Sequence, residues 1–232
     1  MIGYINKIET MGLVDGPGVR TVVFMQGCAL RCLFCHNPET WKIKTGEKYT
    51  PQQLVEKIKH YKNYYGKDGG VTFSGGEPLM QTEFLIETCK LLKKENINIC
   101  LDTAGVGTNN YSILDYIDLV IFDIKAIDNE AYKKMTGHEV NKSLEFLNAC
   151  QKKNKKLWLR QVIVPGINDN EEYILKLNVF IKNIKNVEKI ELLPYHTMGV
   201  NKYEELNIPY VLRNTQAMAQ EKTIELEKLL RN

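Results

Sequence analysis

A chain of 232 residues with 44% hydrophobic and 25% charged residues has the composition of an ordinary folded domain and can bury one sizeable core. Its net charge of +3 is too weak and too scattered to point to nucleic acid. No apolar run reaches the length of a membrane-spanning helix, so neither nucleic acid nor membrane is an expected partner.

The opening segment MIGYINKIET lacks the basic and apolar regions of a signal peptide, so a cytoplasmic, reducing setting is expected. There, clustered cysteines point to metal or catalysis before disulfides. Apolar runs of strand length follow at 20–26, 70–74, 97–102, 118–124, 157–164 and 188–193. Between them, amphipathic stretches read as helices at 51–65, 82–95, 141–153 and 170–184, with a shorter one near 110–116. Thr50-Pro51 has the form of a helix N-cap followed by proline at the first helical position. The basic run KKNKK at 152–156 has no interleaved aromatics and reads as a solvated helix end before a strand. A last helix over about 211–231 closes the chain.

Strands alternating with helices predict an α/β fold with a parallel sheet and right-handed crossovers. Six such units are two short of a closed barrel, which predicts an incomplete (β/α)6 barrel, a partial TIM barrel. Its core would span about 19–200 within a single domain of residues 1–232. Periodicity alone leaves a flat doubly wound sheet open. The unusual polar segments fall in a consistent place. A cysteine loop follows the first strand, SGGEP the second and DTAG the third; DIK ends the fourth and PYH follows the sixth. These are the C-terminal strand ends where parallel α/β folds build their sites. Arg160 lies within the fifth strand, where an unpaired arginine is costly, so an anionic group is its expected partner.

The cysteine loop, GCALRCLFCHN, holds Cys28, Cys32 and Cys35. Three thiolates are too many for a disulfide and one short of a closed structural metal site. Zinc would need a fourth ligand, from His36 or a distant cysteine. A 4Fe-4S cluster held by three cysteines would leave one iron open to another ligand. Cys89 and Cys150 sit at helical spacing from apolar residues and read as core, Cys100 has no nameable partner in its strand, and His60 and His138 read as surface residues.

The C-x3-C-x2-C loop with Phe34 before its last cysteine resembles the radical S-adenosylmethionine (radical SAM) superfamily. VDGPGVR (14–20), VTFSGGEPLMQ (71–81), DTAG (102–105), DIK (123–125) and LLPYHTMG (192–199) follow in the order of one branch of it, the glycyl-radical-enzyme activating enzymes. The resemblance covers residues 3 to about 200, and it is closest to the kind acting on pyruvate formate-lyase, because 36–70 contains no cysteine-rich insertion. It implies a 4Fe-4S cluster on Cys28, Cys32 and Cys35, whose open iron binds the methionine end of S-adenosylmethionine. It further implies cofactor contacts from Phe34, Cys35, His36, Gly75, Gly76, Glu77, Asp123, Ile124, Lys125, Arg160 and His196. A monovalent cation, Na or K, is implied among Asp102, Thr103, Ile121 and Asp123, and a contact to the substrate peptide at Asp15. The implied reaction cleaves S-adenosylmethionine reductively, and the resulting radical takes an α-hydrogen from a glycine of the partner enzyme. The electron would come from flavodoxin or ferredoxin. No side chain is implied as a general acid or base. The activase of anaerobic ribonucleotide reductase, or a small-molecule radical SAM enzyme, would share the cysteine loop, but VDGPGVR and PYHTMG argue against both. A zinc-stabilised binding module is the reading from another class.

Overall fold

Eight strands form one sheet in the computed structural model, which describes residues 1–230. They are β1 (Gly3–Gly12), β2 (Arg20–Met25), β3 (Glu47–Tyr49), β4 (Gly70–Gly75), β5 (Asn98–Thr103), β6 (Leu119–Asp123), β7 (Lys156–Ile163) and β8 (Val187–Pro194). Their order is β3-β1-β2-β4-β5-β6-β7-β8. The six from β2 through β8 that pair in parallel are the six apolar runs of the sequence. β1 and β3 were not foreseen; they add an antiparallel flank beside β2.

Side chains alternate across these strands, and the two faces differ in chemistry. Val71, Phe73, Leu101, Val120, Phe122 and Leu159 join the main core with residues of the surrounding helices. Those helices are α1 (Pro51–Lys59), α2 (Thr82–Lys94), α3 (Asn129–Thr136), α4 (Asn141–Lys152), α5 (Glu171–Lys182), α6 (Val200–Glu205) and α7 (Gln220–Lys228). Phe73, Leu85 and Phe146 are wholly buried there, and each such side chain contributes roughly 1.5–3 kcal/mol. The opposite face carries Val22 and a small apolar group, Cys100, Leu119 and Ile121 with Trp158; toward the strand ends it carries Ser74, Asp102, Asp123 and Arg160. A doubly wound sheet would bury apolar residues under helices on both faces. One helix-covered face and one polar face in an unclosed sheet are the signature of the partial barrel.

Several boundaries differ from expectation. α1 begins at Pro51 with a complete capping box between Thr50 and Gln53, but it ends at Lys59 and a 3-10 turn at Lys62–Tyr64 completes the segment. The segment near 110–116 is a 3-10 helix, Tyr111–Tyr116. Residues 211–219 are irregular, the final helix runs only over Gln220–Lys228, and position 231 of the expected helix lies outside the described residues. α3 and α6 were not foreseen. α3 nevertheless has both end signals: the Asp128 side chain accepts from Ala131 N, and Gly137 closes the helix at φ 78°.

Candidate functional site

The cysteine loop leaves β2 through Gly27, which has φ +98°. It is clamped from three sides. Gly27 N–H donates to Thr40 O at 2.7 Å, and Gly27 O accepts from Glu77 N at 2.8 Å, joining the loop to the segment after β4. Arg31 N donates to Thr136 O at 2.8 Å and Leu33 N to Met135 O at 2.9 Å, hanging the loop on the last turn of α3. From the third side α6 reaches over: Tyr203 Oη donates to Cys35 O at 2.9 Å, and Lys202 Nζ bonds Asn37 Oδ1 at 3.0 Å and Glu39 at 2.6 Å. Gly199 permits this approach, because a Cβ there would lie 2.9 Å from His36 Cα and O.

The three cysteines face one cavity of about 240 Å3. Phe34, His36, Gly75, Gly76 and Glu77 share its wall, and so do Asp102, Thr103, Asp123 and Lys125. Ile121, Ile124, Arg160 and His196 are not part of that wall. Ile124 is buried in the helix-side core, where its N–H donates to Arg160 O at 2.7 Å. His196 stacks on His36 with ring centroids 3.7 Å apart, and His36 Nε2 meets His196 O at 2.9 Å.

Burial pushes the thiols of Cys28 and Cys32 up to about 12, and raises that of Cys35. They are therefore thiols at neutral pH until a metal displaces the protons. Burial alone would lower the pKa of Lys125, but Asp123 and Cys32 hold it above its ordinary value. Its ammonium pairs with Asp123 Oδ2 and lies 5.1 Å from the Phe34 ring centroid. Asp123 Oδ1 is buried with no hydrogen-bond partner, as is His196 Nδ1. Asp102, pushed up to about 6 by burial against the pull of Arg160, accepts from Ser74 Oγ at 2.7 Å. His36 is pushed down to about 4 by burial and by the neighbouring His196.

Three residues sit differently from the simplest expectation. Glu77 lines the cavity, but its carboxylate ties β4 to β5: it accepts from Thr103 Oγ1 at 2.5 Å, Ala104 N at 3.0 Å and Leu79 N at 3.1 Å. Arg160 already has protein partners, Glu191 at 2.7 Å and the Val14 carbonyl. Asp15 is half-buried, its carbonyl accepting from Thr72 Oγ1 at 2.6 Å and its carboxylate facing Arg160. The same loop exposes Leu13 and Val14, at 71% and 75% of their surface. His138 is exposed as expected, yet its Nε2 lies 3.0 Å from Ala29 O and so touches the cysteine loop.

The donor set tests which group it suits. Among the described residues no three Cys, His, Asp or Glu side chains converge to hold a single metal ion. The three thiols nevertheless share one cavity, so they suit a group wider than one ion, which a 4Fe-4S cluster is and zinc is not. The orphaned Asp123 Oδ1 and the exposed edges of Gly75 and Gly76 supply polar contacts for a zwitterionic ligand beside it. Cluster and S-adenosylmethionine both fit.

Comparison with known proteins agrees with this geometry. Residues 22–177 match the model of the radical SAM superfamily. The pyruvate formate-lyase-activating enzyme of Clostridium pasteurianum is 52% identical over 100% of this chain and 98% of its own. That of Staphylococcus epidermidis is 43% identical over 92% of this chain and 89% of its own. In structure, a domain of pyruvate-formate lyase-activating enzyme from Bacteroides vulgatus superposes with a TM-score of 0.56 at 23% identity, covering 70% of this chain and 93% of that one. A radical SAM methyltransferase from Sphaerobacter thermophilus gives 0.63 at 17% identity, over 91% and 63%. At those identities the two structures speak for the fold alone. With three thiols around one cavity, six parallel strands in an open sheet and full-length relatives above 40% identity, the chain belongs to the radical SAM superfamily and, within it, to the pyruvate formate-lyase-activating enzymes.

Proposed function

We propose that this enzyme activates pyruvate formate-lyase by removing the α-hydrogen of one of its glycines, acting in the cytoplasm and away from membranes. The observation that carries the choice of partner is the 52% identity over the full chain to a pyruvate formate-lyase-activating enzyme. When bound, the 4Fe-4S cluster and S-adenosylmethionine supply the one-electron reductive cleavage that the hydrogen abstraction needs.

The chain's own residues hold and orient. Cys28, Cys32 and Cys35 ligate three irons. The Gly75–Gly76 backbone meets the methionine amino group, with Glu77 fixing that segment through its three hydrogen bonds. Asp123 offers Oδ1 to the cofactor while Lys125 neutralises its other oxygen. Phe34 and His36 close the cavity wall, and His196 backs His36 through the ring stack. Arg160 ties the 14–18 loop to β8 through Val14 O and Glu191, and Asp15 of that loop meets the incoming peptide. In the same proposal Na or K sits between Asp102 and Asp123, near the Thr103 and Ile121 carbonyls; the crowding of two carboxylates on adjacent inner-face strands supports it. The electron comes from flavodoxin or ferredoxin.

The test is anaerobic. Reconstituted protein, S-adenosylmethionine and a reductant are mixed with pyruvate formate-lyase, and a glycyl radical is read by electron paramagnetic resonance. A signal with anaerobic ribonucleotide reductase but none with pyruvate formate-lyase overturns the partner. A colourless protein holding one zinc and no sulfide overturns the cluster.

A further inference from the structure

An enzyme that uses an external electron needs a thin wall between its redox centre and the surface. Trp41 forms such a wall. It lines the cavity of the three cysteines, is only half-buried, and packs edge-on against Tyr203 at 5.7 Å. Its indole N–H faces Cys35 Sγ and opposes the effect of burial on that thiol. On its outer side lies Arg31, exposed, with Cζ 4.7 Å from the ring centroid. Among the described residues the Arg31 guanidinium has no carboxylate partner; Nη1 instead gathers the carbonyls of Cys28 at 2.8 Å, Ala29 at 3.3 Å and Leu30 at 2.8 Å. A full positive charge therefore sits on the backbone of the cysteine loop itself.

The surroundings share its sign. Lys42 and Lys44 follow Trp41 directly, and both are exposed. Lys133 and Lys134 are exposed on the last turn of α3, the turn whose Thr136 carbonyl binds Arg31 N. None of these four lysines makes an ion pair among the described residues, whereas the acidic Glu39 nearby is taken by Lys202. Glu47 and Glu139 are their exposed acidic neighbours in sequence, and Asp128 and Glu172 share a cavity lining with Lys134. Ile43, 56% exposed, adds an apolar centre between Lys42 and Lys44. An apolar side chain and a half-buried tryptophan beside unpaired cations match the rim of an acidic protein with a small exposed redox group.

We propose that the Arg31–Trp41 face is the docking surface for an acidic one-electron carrier protein, and that its electron enters the cluster across Trp41 and Cys35. The proposal rests on the cluster assignment made above. The transfer is balanced simply: the carrier's reduced centre is oxidised by one electron, the cluster is reduced by one, and no bond or proton moves.

The experiment uses the cluster-loaded protein under anaerobic conditions, with cluster reduction followed by electron paramagnetic resonance. Two reductants are compared: dithionite, which is small, and the hydroquinone of flavodoxin, with reduced ferredoxin in a parallel arm. The double variant Lys44→Glu/Lys134→Glu touches no cysteine carbonyl, and Arg31→Glu is made beside it. In the double variant we expect reduction by flavodoxin at low salt to slow at least about tenfold, a loss of about 1.4 kcal/mol in the transition state. Reduction by dithionite should not change in the double variant, and raising salt should slow the wild type toward the variant rate. Equal flavodoxin rates in wild type and both charge reversals, from low to high salt, overturn the proposal. So does a variant that is reduced normally by flavodoxin but fails to form a glycyl radical with dithionite, which would give this face to the substrate protein. A wild-type protein without iron and sulfide would instead indict the cluster assignment, and is distinguishable at once. If ferredoxin alone shows the charge dependence, the carrier is an iron-sulfur protein and the surface stands.

Discussion

Among the described residues Arg20 is the largest fully buried side chain, and none of its hydrogen bonds goes to a carboxylate. Its guanidinium lies at the lower end of the inner sheet face and binds neutral acceptors only: Thr72 Oγ1 and Val71 O at 2.7 Å, Pro17 O at 2.8 Å and Asn98 Oδ1 at 2.9 Å, with Asp68 O and Asn98 O beyond 3.2 Å. Burial lowers its pKa against the pull of Cys100 and of the more distant Asp118 and Asp15 carboxylates, and the hydrogen bonds satisfy its donors. Arg20→Lys keeps the charge but replaces a five-donor fork with three donors on one atom. One ammonium cannot reach acceptors on β4, β5 and the 14–17 loop together, so at least two of the short bonds are lost. Bonds to a charged group are worth about 1.5–3 kcal/mol each, so the substitution should cost about 3–6 kcal/mol. That is a large part of the roughly 5–15 kcal/mol available to a folded domain. The assay is urea unfolding of the metal-free protein followed by circular dichroism, in which the midpoint should fall with little change in slope. A loss below about 1 kcal/mol would refute this account of how the loop is anchored.

Burial pushes Glu77 up to about 7, against the hydrogen bonds from Thr103, Leu79 and Ala104. The folded protein thus binds this proton more tightly than the unfolded chain; the resulting stability is complete below pH 4.5 and is lost as pH rises through about 7. Glu77→Gln should gain on wild type by roughly 3 kcal/mol between acid and mildly alkaline pH in melts of the metal-free protein, and parallel pH profiles would show the reasoning wrong. Gly76→Ala would bring a Cβ to 2.3 Å from Gly27 O, forcing the SGGEP segment off the cysteine loop; we expect a stability loss of about 1–3 kcal/mol and weakened S-adenosylmethionine binding in equilibrium dialysis. Cys32→Ala removes a proposed ligand and should leave reconstituted protein without a stable 4Fe-4S cluster by iron and sulfide analysis, so a wild-type cluster content in that variant would disprove the ligand set.

The six parallel strands were legible because strands covered by helices read as unbroken apolar runs, as in LVIFD and VTFSG. β1 was not, because only Gly3 and Ile5 of its ten residues are buried, and Lys7 and Glu9 make it look like a polar tail. α6 was hidden for a similar reason: six residues with Tyr203 alone buried carry no period to read. The site's inner ring was legible because charged residues at strand ends stand out from apolar neighbours. Its clamps were not, since pairs such as Tyr203 with Cys35 or Arg31 N with Thr136 O join segments that share no sequence signal. Arg160 shows the limit of the method. Its cost inside a strand was readable, but the protein meets it with Glu191 and Val14 before any ligand arrives.

The bond from Tyr203 to Cys35 spans 168 positions of the chain. At a synthesis rate of about 5–20 residues per second, Cys35 therefore waits roughly ten seconds or more before the hydroxyl that braces it has been made. The cysteine loop also lacks its α3 support until residue 136 is in place. A loop assembled this late offers thiols to any passing oxidant or metal ion during translation, and takes up its final shape only when the protein is nearly complete. The braced form of the cysteine loop is thus a late product of synthesis, complete only once residues as far on as Tyr203 are in place.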